Sequence, residues 1–473
     1  MSLPTINLSR PHRFYIAKRY FKGHSGPQLH LGKTENEFRD MTEEAKLERQ
    51  TLEGGAALNL WRQGREVWNS WINENPGCNI SFDGVDFSRY RDSDGNLSFT
   101  GYCFGDGNVH FNGATFGDGN VIFAKVTFGD GHLIFAKVIF DSGDVIFTNA
   151  TFGKGVIDFS EAAFSDCNVI FTNSNFGDGY VDFFKATFAD SNMYFFGATF
   201  GDGEINFHQA RIKELYFTPK TVGACSIQAE ELSIKDRAIF NLPSSASNLK
   251  TFNLHSASFD GPFTLTGDLN IVPDLRATRY SHQVDLSDLK VKLPRISAKL
   301  GWPPKLSRVA KDPKNGARLR RLKEIAETNK DHQAALRFSA DENRAKRWIE
   351  TSWFGSVLDM AFSAFSDYGQ NILRPFVALI VLTAASMGLY KTLATETSAA
   401  GWTGWAQAAL LSASNSLPFL PQSRDLREDA LTALHGTTTD PDLWVDALMI
   451  TQGVLSFIFL FLIGLGLRNR FRL

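Results

Sequence analysis

Phenylalanine recurs through the middle of the chain at a spacing that alternates between five and seven residues. One series occupies positions 104, 116, 128, 140, 152, 164, 176, 188 and 200; the other occupies 111, 123, 135, 147, 159, 171, 183, 195 and 207. Aligning GATFGDGNVIFA (113–124), KVTFGDGHLIFA (125–136) and KVIFDSGDVIFT (137–148) gives a period of 12. Such a repeat marks a chain that stacks one small unit on the next. Nearly every Phe follows, at two positions' distance, a small or β-branched apolar residue: Val109 precedes Phe111, Ala114 precedes Phe116, Val121 precedes Phe123 and Ala150 precedes Phe152. Residues i and i−2 share one face of an extended strand, so each pair points inward while the residues between them face solvent. Gly-Asp-Gly at 105–107, 117–119, 129–131, 177–179 and 201–203 supplies corners suited to positive φ.

Short strands joined by regular corners predict a β-solenoid with rungs about 4.8 Å apart. A coil of four faces, about 24 residues, leaves room for the rings. The alternative, a triangular coil of 12 residues, crowds two Phe rings and two further side chains into a narrow bore and ranks second. Calcium at the corners would need six or more oxygens. Each corner offers about one carboxylate, and Gly-Lys-Gly at 153–155 and Asp-Ser-Gly at 141–143 break the pattern. Turn chemistry alone is therefore expected, with no metal.

Motifs of the form Ala-x-Phe at five-residue spacing, broken by two-residue insertions, resemble the pentapeptide-repeat proteins. The resemblance implies a right-handed quadrilateral parallel β-helix; the insertions lengthen alternate corners relative to that family's pattern. The stretch WRQGREVWNSWINENP (61–76) resembles the helix that precedes the first coil in many of them. It sits in an expected helix over 42–75, beginning at Thr42 and ended by Pro76, whose stripe of Leu58, Trp61, Val67, Trp68 and Trp71 caps the solenoid and shields its first edge. The repeat decays after residue 210, although SFDGPFTLTGDLNI (258–271) still reads as strand. The expected units are 1–76 (N-terminal region and cap), 77–275 (β-helix), 276–352 (basic linker with an amphipathic helix) and 353–473 (membrane region).

Residues 100–210 hold 13 Asp/Glu against 4 Lys/Arg, whereas residues 290–347 hold 17 Lys/Arg against 6 Asp/Glu. Some pentapeptide-repeat proteins mimic DNA and bind topoisomerases through an acidic rod, but these are soluble dimers, and here exposed Asp is expected simply to keep a Phe-rich rod soluble. The basic stretch lacks interleaved aromatics or a binding motif, so no nucleic acid is expected; attraction to anionic headgroups is the simpler account. Within it, Leu319, Leu322, Ile325 and Ala326 fit a helical stripe.

Two apolar runs, 375–393 and 447–467, are long enough to cross a hydrocarbon core of about 30 Å. Arg374 precedes the first, and Arg468, Arg470 and Arg472 follow the second, while the loop between them has an acidic excess. The positive-inside rule places both termini in the cytoplasm of a multi-pass inner-membrane protein. That fits a polar start, Met1 to Arg13, with no apolar leader, and four scattered cysteines, Cys78, Cys103, Cys167 and Cys225, with no CxxC pair. An amphipathic stretch at 353–365 is expected in the inner interface. The segment 401–421 is too short to span and resembles the re-entrant half-helix of two-transmembrane ion channels. Together with SDYGQNILRP (366–375) and FLIGLGLRNRFRL (461–473), this implies the membrane-bound branch of the family, a bacterial inner-membrane protein.

Gln452, Ser456, Phe459 and Ile463 lie on one helical face. The leading expectation makes Gln452 and Ser456 pore-lining, Phe459 and Ile463 a dewetting gate, and Ser412, Ser414 and Asn415 the outer mouth. A single hairpin cannot enclose a pore, so this requires a homo-oligomer of about three to six chains. The other reading has the same polar groups gluing helices in a membrane-anchored interaction scaffold. Either way the bilayer is a partner, and the solenoid is free to recruit a cytoplasmic protein. With no GxSxG, HExxH, P-loop or dinucleotide fingerprint, no enzyme activity and no cofactor are expected.

Overall fold

The computed structural model describes residues 50–297, 308–394, 401–417, 422–436 and 443–471. The expected helix start at Thr42, residues 300–307 of the linker and the Pro-Phe-Leu-Pro turn at 418–421 lie outside them.

The repeats form a β-solenoid of about ten turns whose strands pair in parallel. The coil is 24 residues: Val121 registers with Val145, Phe140 with Phe164 and Val169 with Met193. Four faces follow, and the triangular alternative falls. The alternating spacing has a direct cause. Five residues separate Phe111 from Phe116 across a β-turn closed by Ala114 N–H donating to Phe111 O at 3.0 Å. Seven residues separate Phe116 from Phe123 across Gly117–Gly119. In the tight turns the third residue is left-handed, as type II geometry requires, and is often not glycine: Lys125, Asn149 and Lys185 have φ of 55°, 57° and 56°.

Inside, the rings rise in columns, one ring per coil. Phe111, Phe135 and Phe159 stack with centroids 4.6 and 5.1 Å apart, and Phe123, Phe147 and Phe171 with centroids 4.9 and 5.0 Å apart. These spacings match the rung separation, so backbone pairing and aromatic stacking reinforce each other. The corner aspartates form a second ladder outside. The Asp106 carboxylate accepts the Asp130 N–H at 3.1 Å, and the Asp130 carboxylate accepts the Lys154 N–H at 3.0 Å. Their lone pairs serve the next coil, a structural use that explains them without calcium. At Gly131 glycine is needed for proximity rather than φ: a Cβ there would overlap the carbonyl oxygen of Gly107 in the coil before.

At the N-terminal end, the strand Thr51–Glu53 pairs with Asn79–Ser81, followed by α1 (Gly54–Arg62) and α2 (Arg65–Glu74). The expected single helix is thus two, broken at Gly64 with φ 98°. Trp68 is fully buried, stacks over Phe82, and donates its indole N–H to Cys103 O at 2.7 Å. Asn69 pairs with the first edge, donating to Gly101 O at 3.1 Å and accepting Cys103 N–H at 2.8 Å. Val67 points to solvent rather than joining the stripe.

Parallel pairing continues past 275 to Leu289–Val291, where leucine and valine fill the bore in place of phenylalanine. Two helices close this end: α3 (Asn315–Thr328) and α4 (His332–Lys346). Leu319, Leu322, Ile325 and Ala326 are buried with Phe338 in one core continuous with the solenoid. The expected linker is therefore a cap, and much of its positive charge is spent internally. Arg318 pairs with Asp274 at 3.1 Å and Asp312 at 2.6 Å; Arg320, Lys323 and Lys346 converge on buried Glu342. Burial works to raise the Asp274 carboxyl, but hydrogen bonds from Arg276 and Arg318 hold it below the usual range.

Candidate functional site

Among the described residues five helices follow the cap: α5 (Trp353–Ser366), α6 (Leu373–Leu393), α7 (Trp402–Ser416), α8 (Ser423–His435) and α9 (Leu443–Arg470). Two of them, α6 with 21 residues and α9 with 28, are long and apolar enough to cross a membrane. Their outer surfaces show Phe376, Ile380 and Val381 on α6, and Ile450, Val454, Phe457 and Phe461 on α9. Helices of a soluble core would bury these groups. The start of α6 and the end of α9 meet, Asn469 donating to Gly369 O at 3.2 Å. Arg374, Arg468 and Arg470 thus lie at one end of an antiparallel hairpin.

Ser352 caps α5 by accepting the Gly355 N–H, and Asp367, left-handed at φ 50°, ends it. Asp367, Tyr368 and Gly369 are left-handed in succession. Arginines at the end of α4 hold this elbow: Arg347 pairs with Asp359 at 2.6 Å and donates to Tyr368 Oη at 2.9 Å, and Arg344 pairs with Asp367. Trp353, Phe354 and Leu358 remain exposed on α5.

Helix α7 is about 22 Å long, short of a span, and packs against both α6 and α9. Gln452 fastens it. Its Nε2 lies 2.9 Å from Ser412 O, 2.8 Å from Ser412 Oγ and 2.9 Å from Ser416 Oγ, two hydrogens shared among three acceptors. Its Oε1 accepts from Tyr390 Oη at 2.8 Å and Asn415 Nδ2 at 3.2 Å. Asn415 also donates to Met449 O at 2.8 Å, and Ser412 Oγ donates to Thr383 O at 2.7 Å. Three helices meet at one buried amide.

Of the residues singled out from sequence, Ser412, Asn415 and Gln452 come together here. Ser414 turns back to Leu411 O of its own helix. Ser456 is fully buried, one turn from Gln452, and its Oγ has no hydrogen-bond partner among the described residues. Phe459 packs on Phe365 of α5 with centroids 5.2 Å apart, and Ile463 is only partly buried. Within one chain the polar atoms of Gln452 are thus spent on neighbouring helices, and the remaining outer face of α9 is apolar. Sequence reasoning missed Thr383, Tyr390 and Ser416. A tyrosine within an apolar run was the available signal, since its hydroxyl needs a partner in hydrocarbon.

Among the described residues, no group of three or more His, Cys, Asp and Glu is placed to hold a metal ion. Compared with known proteins, the chain matches no family model, no curated protein and no solved structure.

Proposed function

We propose that this is a membrane protein of pentapeptide-repeat type whose helices α6, α7 and α9 form the subunit of an oligomeric ion channel, with the solenoid as its cytoplasmic interaction domain. The supporting observation is the short helix held between two spans by the buried Gln452 amide. An anchor needs only two apolar helices; polar groups within spans are costly and are kept where they serve a purpose. In this reading Gln452, Ser412 and Asn415 set the position of α7 at the outer mouth, and Ser456, Phe459 and Ile463 continue the same face toward the cytoplasmic end. The clustered Arg374, Arg468 and Arg470 support cytoplasmic termini in a cell membrane.

Purified full-length protein in planar bilayers should give discrete conductance steps. Well-folded oligomers that stay silent would remove the channel. One observation favours a second reading: the outer face of α9 is apolar and the Gln452 network is complete within one chain. That arrangement suits a non-conducting anchor that holds the solenoid at the membrane as a scaffold.

A further inference from the structure

Positive charge collects in excess where the cap meets the elbow. The strand Arg308–Ala310 pairs antiparallel with Arg295–Ser297 and packs on α4. The acids of this corner, Asp341, Asp359 and Asp367, are all taken by Arg344 or Arg347. Among the described residues, Lys292, Arg295, Arg308 and Arg337 make no ion pair. Lys292, Arg295 and Arg344 line one cleft beside Asp341. Arg337 and Arg344 line the next, beside Asp367 and Gln370, together with Lys290, which pairs with Asp268 at 3.7 Å.

The side chain of Arg295 reaches solvent, yet the protein atoms crowding it, and then repulsion from Arg344, Arg347 and Arg308, push its pKa down. Asp341 offsets this in part, but Arg344 already holds that carboxylate at 2.7 Å. Such a corner favours an anion from outside the chain.

We propose that Lys292, Arg295 and Arg308 bind the phosphate of an anionic phospholipid headgroup. The site rests on the membrane reading above, though not on conduction. Guanidinium forks match phosphate oxygens in pairs, with lysine adding a point charge. Placement selects the lipid. Gln370 stands three residues before Leu373, where α6 begins, and three residues reach at most about 10 Å. That distance is comparable with the polar layer flanking a hydrocarbon core. On α5, Asp359 takes Arg347 while Trp353, Phe354 and Leu358 are exposed, a set suited to the membrane interface. A phosphoprotein or a nucleic acid offers the same phosphate, but it would have to enter a layer where headgroups already stand at high local concentration.

Full-length protein in neutral detergent should melt at a higher, saturating temperature as dioctanoyl phosphatidylglycerol is added. Dioctanoyl phosphatidylcholine at the same concentration should leave the melt unmoved. Arg295→Gln combined with Arg308→Gln should raise the half-saturating concentration about tenfold, with the lipid-free melt unchanged. Arg295→Lys, which keeps the charge and loses the fork, should fall between. Arg211→Gln on the solenoid wall should match the parent. The site is overturned by equal shifts from phosphatidylcholine, by undiminished affinity in the double variant, or by an equal shift from glycerol 3-phosphate or a short oligonucleotide. Recovery of the whole protein from the aqueous fraction without surfactant would sink the membrane reading and the site with it. A surfactant-dependent protein that ignores the anionic lipid would sink the site alone.

Discussion

The solenoid and the C-terminal helices both depend on polar links between elements, but they distribute that dependence in opposite ways. In the solenoid each polar link has copies above and below it: the Asp130 carboxylate serves Lys154 as Asp106 serves Asp130. In the membrane unit one amide, Gln452, gathers contacts from Tyr390, Ser412, Asn415 and Ser416. A repeat dilutes the consequence of any single polar change; a hub concentrates it. What the solenoid cannot dilute is a missing ring, because its columns are continuous.

The largest effect should therefore come from Phe147→Ala. It removes a ring stacked on both Phe123 and Phe171 in a bore with no room to collapse, and should cost about 3–5 kcal/mol, read as a shift in the urea midpoint. Asp182 gives the next effect and the opposite sign. Burial, aided by the charge of Asp158, pushes its carboxyl up to about 6 from 3.8. The folded chain thus holds this proton more tightly than the unfolded chain. Stability contributed at low pH is lost as pH rises from about 4 through 6, by about 3 kcal/mol. Asp182→Asn should remove that slope and be the more stable protein at pH 7; parallel slopes in urea titrations would refute it.

Gln452→Leu should cost about 2 kcal/mol and lower the melting temperature in detergent, with the hydroxyl of Tyr390 deprived of its acceptor. An unchanged melt would show the hub to be dispensable. The smallest effect belongs to Asp130→Ala, about 1 kcal/mol, because neighbouring coils keep their own links. Added calcium should not move the melting temperature of either protein; a calcium-dependent rise in the parent alone would reinstate the corner as an ion site.

Much of the solenoid was legible because its rules are local. Phe spacing reports strand, turn and coil length at once, and Trp68 announced the cap by sitting on a helical stripe just before the first rung. The tight turns were harder to see. Lys125 and Asn149 carry no glycine signature, since the left-handed conformation is imposed by stacked neighbours and tolerated by the side chain. The cap at the far end was hidden for a different reason. A run of lysine and arginine looks the same whether it faces lipid headgroups or, like Arg318 and Arg320, finds Asp274 and Glu342 across 44 and 22 residues of chain. At the membrane site, helical spacing put Gln452 and Ser456 on one face but not which way that face turns. Only the arrival of Ser412 and Tyr390 from other helices decides that.

The elbow at Asp367–Gly369 makes the rod and the hairpin a stiff crank rather than a bead on a string. Three left-handed residues leave little torsional slack, and arginines from the last cap helix clamp both sides of the bend. A sideways load on the distal coils would arrive as torque at the first turn of α6 and the last turn of α9, which Asn469 ties together. In the proposed membrane reading, whatever grips the rod has leverage on the bilayer.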